Sequence, residues 1–247
     1  MNKKGLNYLI FIVAMLCWAV FLVAIAEMPP MGDPNNITNT HVIPRYIEKS
    51  IEEGGASNMV TSIILNYRGY DTSFEVVVIF TALISILAVL KRENIKTSKS
   101  LVDASPVRAS VIVSTVVKFL TPFIILYAIY MILHGDVSPG GGFQGGAIIG
   151  GSIIAFTLTF GLLTSMKKFR LSVRVPLETS AVLAFRISGI VGMFVGVPFL
   201  TFLIPGLTHE VQEFVRHSLL IIIEIGIGIA TGIIFASIFA AMGKVEG

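Results

Sequence analysis

The chain has 247 residues, 54% hydrophobic and 13% charged, with a mean hydropathy of +0.85 and a formal net charge of +3. Soluble domains carry about 25% charged residues, so the composition excludes a soluble globular protein and makes this an integral membrane protein. Its small positive charge is an orientation signal, which argues against a nucleic-acid-binding surface.

A bilayer core about 30 Å thick takes roughly 20 apolar residues per helix, and six stretches qualify: 6–26, 74–90, 109–133, 143–165, 181–204 and 217–242. The expected fold is therefore all-α and polytopic, with about six transmembrane helices. Backbone polar groups in lipid must be bonded internally, and apolar runs of helix length rule out a β-barrel. The first run follows Lys3 and Lys4 and ends Ala24-Ile25-Ala26, which imitates a signal-peptidase site. Its length of about 21 residues exceeds the 7 to 15 of a signal core, so it reads as a retained helix. Cys17, the single cysteine, lies inside it, which excludes disulfides, iron-sulfur clusters and thiolate zinc sites within the chain.

A polar excursion, 27–57, follows, with Pro29-Pro30, the turn sequence Asp33-Pro34-Asn35-Asn36 and a short surface helix expected at 43–53. The apolar run 59–65 is too short to cross alone. A break at 66–72 leads to Glu75 at the opening of the second span, where the positive end of a helix dipole stabilises a carboxylate. The stretch 93–105 is polar and basic without apolar period, so the chain divides into a two-helix segment at 1–95, a cytoplasmic linker at 96–108 and a four-helix segment at 109–247.

The third span carries Lys118 near its middle and Pro122, which removes a helix hydrogen bond and predicts a kink near that lysine. Between the third and fourth spans lies the cluster Pro139, Gly140, Gly141, Gly142, Phe143, Gln144, Gly145, Gly146. A phosphate cradle needs a Gly-Lys-Ser or Gly-Lys-Thr ending, and a dinucleotide fingerprint needs a preceding strand. Neither is present. The cluster reads instead as a turn that presents bare backbone N–H groups and lets the next helix approach a neighbour closely. Gly142, Gly146 and Gly150 continue it as a stripe, and Gly228 and Gly232 form another in the last span. Arg186, early in the fifth span, reads as an interfacial cation near Glu178.

Glu224 stands within Leu219-Leu220-Ile221-Ile222-Ile223-Glu224-Ile225-Gly226 with no polar side chain beside it. A charge there costs about 3 kcal/mol on insertion scales, so it faces protein or water and is a functional candidate. Glu224 and Glu75 are the candidates for an ion or proton path, with Lys118 as a cation able to hold a facing carboxylate ionised. His134, His209 and His217 fall at the outer surface and His41 in the outer loop, with no pair four residues apart, so no metal site is expected.

Of the 18 Lys and Arg, twelve lie at 3–4, 91–108, 167–174 and 244, and four (Arg45, Lys49, Arg68 and Arg216) lie in the alternate segments. The positive-inside rule then makes both termini cytoplasmic.

The stretch His134-Gly135-Asp136-Val137-Ser138-Pro139-Gly140-Gly141-Gly142-Phe143-Gln144-Gly145-Gly146, after a helix containing Pro122 and before three further helices, resembles the B subunit of the Mrp (Mnh) multisubunit sodium/proton antiporters over residues 105–242. Asn66-Tyr67-Arg68-Gly69-Tyr70-Asp71-Thr72 with Glu75 resembles the carboxyl-terminal tail of the large A subunit. An A-subunit tail fused to a B subunit is similar to the Mrp-like modules of archaeal membrane-bound hydrogenases and sulfane-sulfur reductases. The resemblance implies a multi-pass place in the cytoplasmic membrane and, as partners, small C-, E-, F- and G-like subunits, a large antiporter-like subunit and a hydrogenase or sulfur-reductase redox module. It also implies that Glu75 matches the tail's functional glutamate, and that Glu224 replaces an aspartate common in the last helix of B subunits. It implies sodium ion or proton as the transported species. No cofactor is expected in this chain, nor catalysis, since it offers neither a nucleophile-base pair nor a soluble pocket. The alternative is an adaptor that docks other subunits through its glycine stripes. A stand-alone transporter ranks below both, because no internal repeat is present.

Overall fold

The computed structural model describes residues 3–90, 110–162, 164–165 and 171–242. The linker expected at 96–108, and the cations at 91–108, 167–170 and 244 that carry the orientation argument, lie outside the described residues. The described residues contain helices and turns and no strand.

Residues 1–47 form one compact unit and residues 48–247 another. In the first, α1 (Lys3–Ala26) is an unbroken apolar helix with its described side chains exposed along its whole length. After it, Asn35 N–H bonds the Asp33 carboxylate at 2.9 Å and Thr38 N–H bonds the Asn36 side chain at 3.2 Å, local bonds that favour turn over helix. A π-helical turn at Thr38–Val42 leads into α2 (Ile43–Lys49).

The second unit begins with the last residues of α2, then a π-helical turn (Ser50–Gly54) and the single turn α3 (Met59–Ser62), whose N-cap Asn58 accepts from Val60 N–H at 3.0 Å. Another π-helical turn (Ile63–Tyr67) precedes α4 (Gly69–Leu90), and then come α5 (Val111–Leu133), α6 (Gly142–Phe160), α7 (Leu171–Val191) and α8 (His209–Met242). At 34 residues, α8 is the longest element, and α4, α5, α6 and α7 all pack against it. Its buried Leu220, Ile223, Ile227, Ala230 and Ile234 recur every three or four residues, one helical stripe. Val76, Leu83, Ala181 and Phe185 belong to the same core, with Ala56, Leu65, Leu200 and Phe202.

Among the described residues five helices (α1, α4, α5, α6 and α8) are long and apolar enough to cross a membrane and Thr179–Val195 is a shorter apolar helix, so the chain is an all-α, multi-pass membrane protein. The expected span at 181–204 differs. Helix continues from α7 only through a 3-10 turn at Gly192–Val195, and residues 196–208 return as irregular chain. The cause is in the sequence: Gly196 ends the helix at φ +86°, and Pro198 and Pro205 cannot rejoin one. The return stays apolar because it folds back inside. Leu200 and Phe202 are each 2% exposed, Leu200 N–H bonds Gly189 carbonyl at 3.1 Å, and Gln212 ties Ile204 N–H (3.0 Å) and Phe202 carbonyl (2.6 Å).

Other boundaries shift as well. α8 begins at His209, ahead of the expected 217, and α4 begins at Gly69, which puts Glu75 in its second turn and not at its opening. Helix α5 runs through Pro122, whose missing N–H leaves the Lys118 carbonyl without its usual donor.

Candidate functional site

The glycine cluster and Glu224, two separate features of the sequence, meet in space. Beyond α5, Val137 and Ser138 N–H both bond the His134 carbonyl, at 3.1 and 2.8 Å, turning the chain back. Gly140 and Gly141 then take φ of +147° and +132°, conformations that other residues rarely adopt. This backbone lies against the Glu224 carboxylate. A Cβ on Gly141 would sit 3.0 Å from Oε2, and one on Gly135 3.3 Å from Oε1. Gly142, the first residue of α6, donates its backbone N–H to Oε2. Helix amino termini carry unpaired N–H groups and positive dipole charge, and are ready anion sites. Glu224, only 6% exposed in an apolar helix, therefore has a partner in the backbone, which the identity of its sequence neighbours does not reveal.

The residues before α4 are fastened to the same loop. Asn58 Nδ2 donates to the carbonyls of Gly135 (3.0 Å) and Ser138 (2.9 Å), its backbone N–H to Asp136 carbonyl (2.8 Å), and Thr61 hydroxyl to Gly135 carbonyl. That anchoring holds α4 beside the loop, and a cavity of about 360 Å³ lies between them, lined by Thr61, Arg68, Asp71, Glu75, Gln144 and Glu224 among others. Glu75 is exposed toward it, and Asp71 pairs with Arg68 at 2.7 Å. Three acids thus face one space, two from the amino-terminal segment and one from the last helix.

The glycine stripes close on each other. A Cβ on Gly146 would meet Gly228 carbonyl oxygen at 2.7 Å, one on Gly150 the Gly232 carbonyl oxygen at 3.2 Å, and one on Gly232 the Gly146 carbonyl oxygen at 3.2 Å. Between them α6 and α8 pack backbone to backbone, which fixes where Gly142 N–H stands relative to Glu224. Pro139 and Phe143 flank that N–H, and Phe143 also lines the cavity.

Two sequence candidates fall elsewhere. Lys118 is exposed on α5 and does not line the cavity. Arg186 has its guanidinium half-buried and reaching Ser73 carbonyl, in the first turns of α4, at 3.4 Å, while the Glu178 side chain lies outside the described residues. Asn58, Thr61 and the pair Asp136–His217 were not singled out by sequence. For the pair there was a signal: His217 precedes Glu224 by seven residues, the same face of one helix. Among the described residues no group of three or more His, Cys, Asp and Glu is placed to hold a metal ion.

Comparison with known proteins gives these positions a family context. Residues 112–241 match the family described as a domain related to the MnhB subunit of the Na+/H+ antiporter, and residues 10–104 match the MbhE family, described as the E subunit of MBH. A probable A/B subunit of a K(+)/H(+) antiporter from Rhizobium meliloti is 26% identical over 63% of this chain, which spans only 17% of that protein. Among solved structures, a chain of the membrane-bound sulfane sulfur reductase, an archaeal respiratory membrane complex, aligns with TM-score 0.65 and 29% identity over 96% of this chain and 98% of its own. A chain of the Mrp complex from Dietzia sp. shares the fold at TM-score 0.61 and 20% identity, over 100% of this chain and 26% of that one.

Proposed function

Since the chain belongs to the family of domains related to the MnhB subunit of Na+/H+ antiporters, we propose that it is an ion-carrying membrane subunit of an Mrp-type module in the cytoplasmic membrane, and that Glu224 and Glu75 form part of the sodium or proton path. The observation that carries this reading is the shared cavity: an acid from the segment matching the MbhE family and an acid from the MnhB-related segment face one space at the junction of the two. An acid in an apolar helix costs several kcal/mol unless solvated or paired, and such residues mark ion pathways. Gly142 N–H bonds one carboxylate oxygen of Glu224, Oε2, and in this reading the other oxygen takes the proton or ion.

In this reading the chain performs no redox chemistry itself. Its likeness along nearly its whole length to a chain of the sulfane sulfur reductase supports attachment to a redox module that supplies the driving force. The partners would be small C-, E-, F- and G-like subunits and a large antiporter-like subunit. The adaptor alternative through glycine stripes has less support, because those stripes are occupied within the chain and offer no surface to a partner.

The test is sodium and proton transport by the purified complex reconstituted in liposomes, with Glu224→Gln or Glu75→Gln and subunit composition checked in parallel. Each variant is expected to assemble and to lose most transport. Wild-type transport in both sinks the reading.

A further inference from the structure

Outside the cavity, a second titratable pair lies within reach of Glu224. Asp136 follows Gly135, where an added Cβ would lie 3.3 Å from the Glu224 carboxylate. It is 6% exposed. Its Oδ2 is bonded to His217 Nδ1, while its Oδ1 is buried with no hydrogen-bond partner among the described residues. The His217 side chain, by contrast, is 52% exposed. His217 and Glu224 stand two turns apart on one face of α8, and Asp136 is bonded to the first and next in the chain to the glycine whose Cβ position lies against the second. A buried acid with a spare oxygen between an exposed histidine and a functional carboxylate is an unusual structural choice. A hydrogen bond that merely pinned the loop would not need a carboxylate, and an unpartnered buried oxygen costs about 1–3 kcal/mol.

We propose that Asp136 and His217 form a proton relay between the solvent on the Pro139-loop side of the membrane, the outside by the distribution of cations, and Glu224. The proposal rests on the reading of Glu224 as a carrier. A proton from water adds to Nε2 of neutral His217. The Nδ1 proton passes to Asp136 Oδ2, leaving neutral imidazole and a carboxylic acid. The acid then gives up its proton through a bridging water to the Glu224 carboxylate, restoring the Asp136 anion, and the imidazole resets its tautomer by exchange with bulk water at its exposed edge. One proton moves inward, and no electrons are exchanged. The reverse sequence serves release. Histidine suits the surface position because its ring can take a proton at one nitrogen while giving one up at the other. The other charged or titratable groups around the pair are Glu224, Arg216 against Gly55, Glu213 one turn earlier on α8, and His134, whose ring stacks on Tyr130 at 4.2 Å.

The test uses the intact reconstituted complex, with transport followed as a function of external pH. His217→Gln is expected to slow proton-coupled transport about tenfold or more, most at alkaline external pH where protons are scarce, and added imidazole is expected to restore the rate. Asp136→Asn should slow transport equally but resist imidazole rescue. Should Asp136→Asn fail to assemble, His217→Gln alone decides. Transport by His217→Gln at the wild-type rate across the pH range, or a slowed rate that imidazole leaves unchanged, overturns the relay. If Glu224→Gln is inactive in the same assay, such a failure leaves the carrier reading standing, whereas wild-type transport by Glu224→Gln overturns both.

Discussion

Replacing Gly146 with alanine tests how closely α6 and α8 approach. A Cβ there would sit 2.7 Å from the Gly228 carbonyl oxygen, 2.8 Å from Thr231 Cβ and 3.1 Å from Gly228 Cα. Two of these three are backbone atoms of the facing helix, so no flexible side chain can move aside and the two helices must separate. Overpacking of this kind costs about 1–3 kcal/mol, partly offset by alanine's helix propensity, worth about 1 kcal/mol over glycine. The control is Gly151→Ala on the same helix, where an added Cβ meets nothing within 4 Å and only the propensity gain remains. Thermal dissociation of the purified complex in detergent is the assay, with subunit retention by size exclusion. Gly146→Ala should dissociate at lower temperature than Gly151→Ala, and Gly146→Leu should abolish assembly. Equal stability of Gly146→Ala and wild type would refute the close-packing argument.

Asn58→Ala removes a helix cap and two bonds to the Gly135 and Ser138 carbonyls, so a loss of about 1–2 kcal/mol is expected, read as faster hydrogen exchange at 135–141. Leu200→Ala, at a side chain 2% exposed in the returning segment, should cost about 2–5 kcal/mol in thermal unfolding of the complex, which a lipid-facing leucine would not. On a Cys17→Ser background, a cysteine at position 96 should react with membrane-impermeant reagents only from the cytoplasmic side, and labelling from outside would reverse the assigned topology.

Transmembrane helices were legible in the sequence because lipid imposes length and composition directly: α1, α4, α5, α6 and α8 fall where the apolar runs do. The run at 181–204 is helical only as far as Val195, because hydropathy records burial in an apolar medium and not helical conformation. Leu200 and Phe202 are apolar since they bury against protein, and Gly196 and Pro198, both visible in the sequence, mark where the helix had to stop. Glu75 was placed at a helix start because Asn66 to Thr72 read as a break. The polar residues there are instead absorbed by side-chain bonds, such as Thr72 hydroxyl to Ile64 carbonyl at 2.8 Å, and the helix begins at Gly69.

The site was legible in its parts but not in its assembly. Glu224 drew notice by its cost in lipid, and the glycine cluster by its freedom of backbone. Their contact crosses 82 residues of chain, and no local pattern encodes a separation of that size. Physical reasoning nevertheless links them. A glycine-rich turn that opens a helix leaves N–H groups unpaired, and within a membrane those groups require an acceptor. A carboxylate isolated in an apolar helix requires a donor. Each feature poses the same problem from the opposite side, and the glycine stripes set α6 and α8 at the spacing where one answers the other. Since Gly142 donates to one carboxylate oxygen, this pairing secures Glu224 in the bundle and leaves the other oxygen to the ion path proposed above.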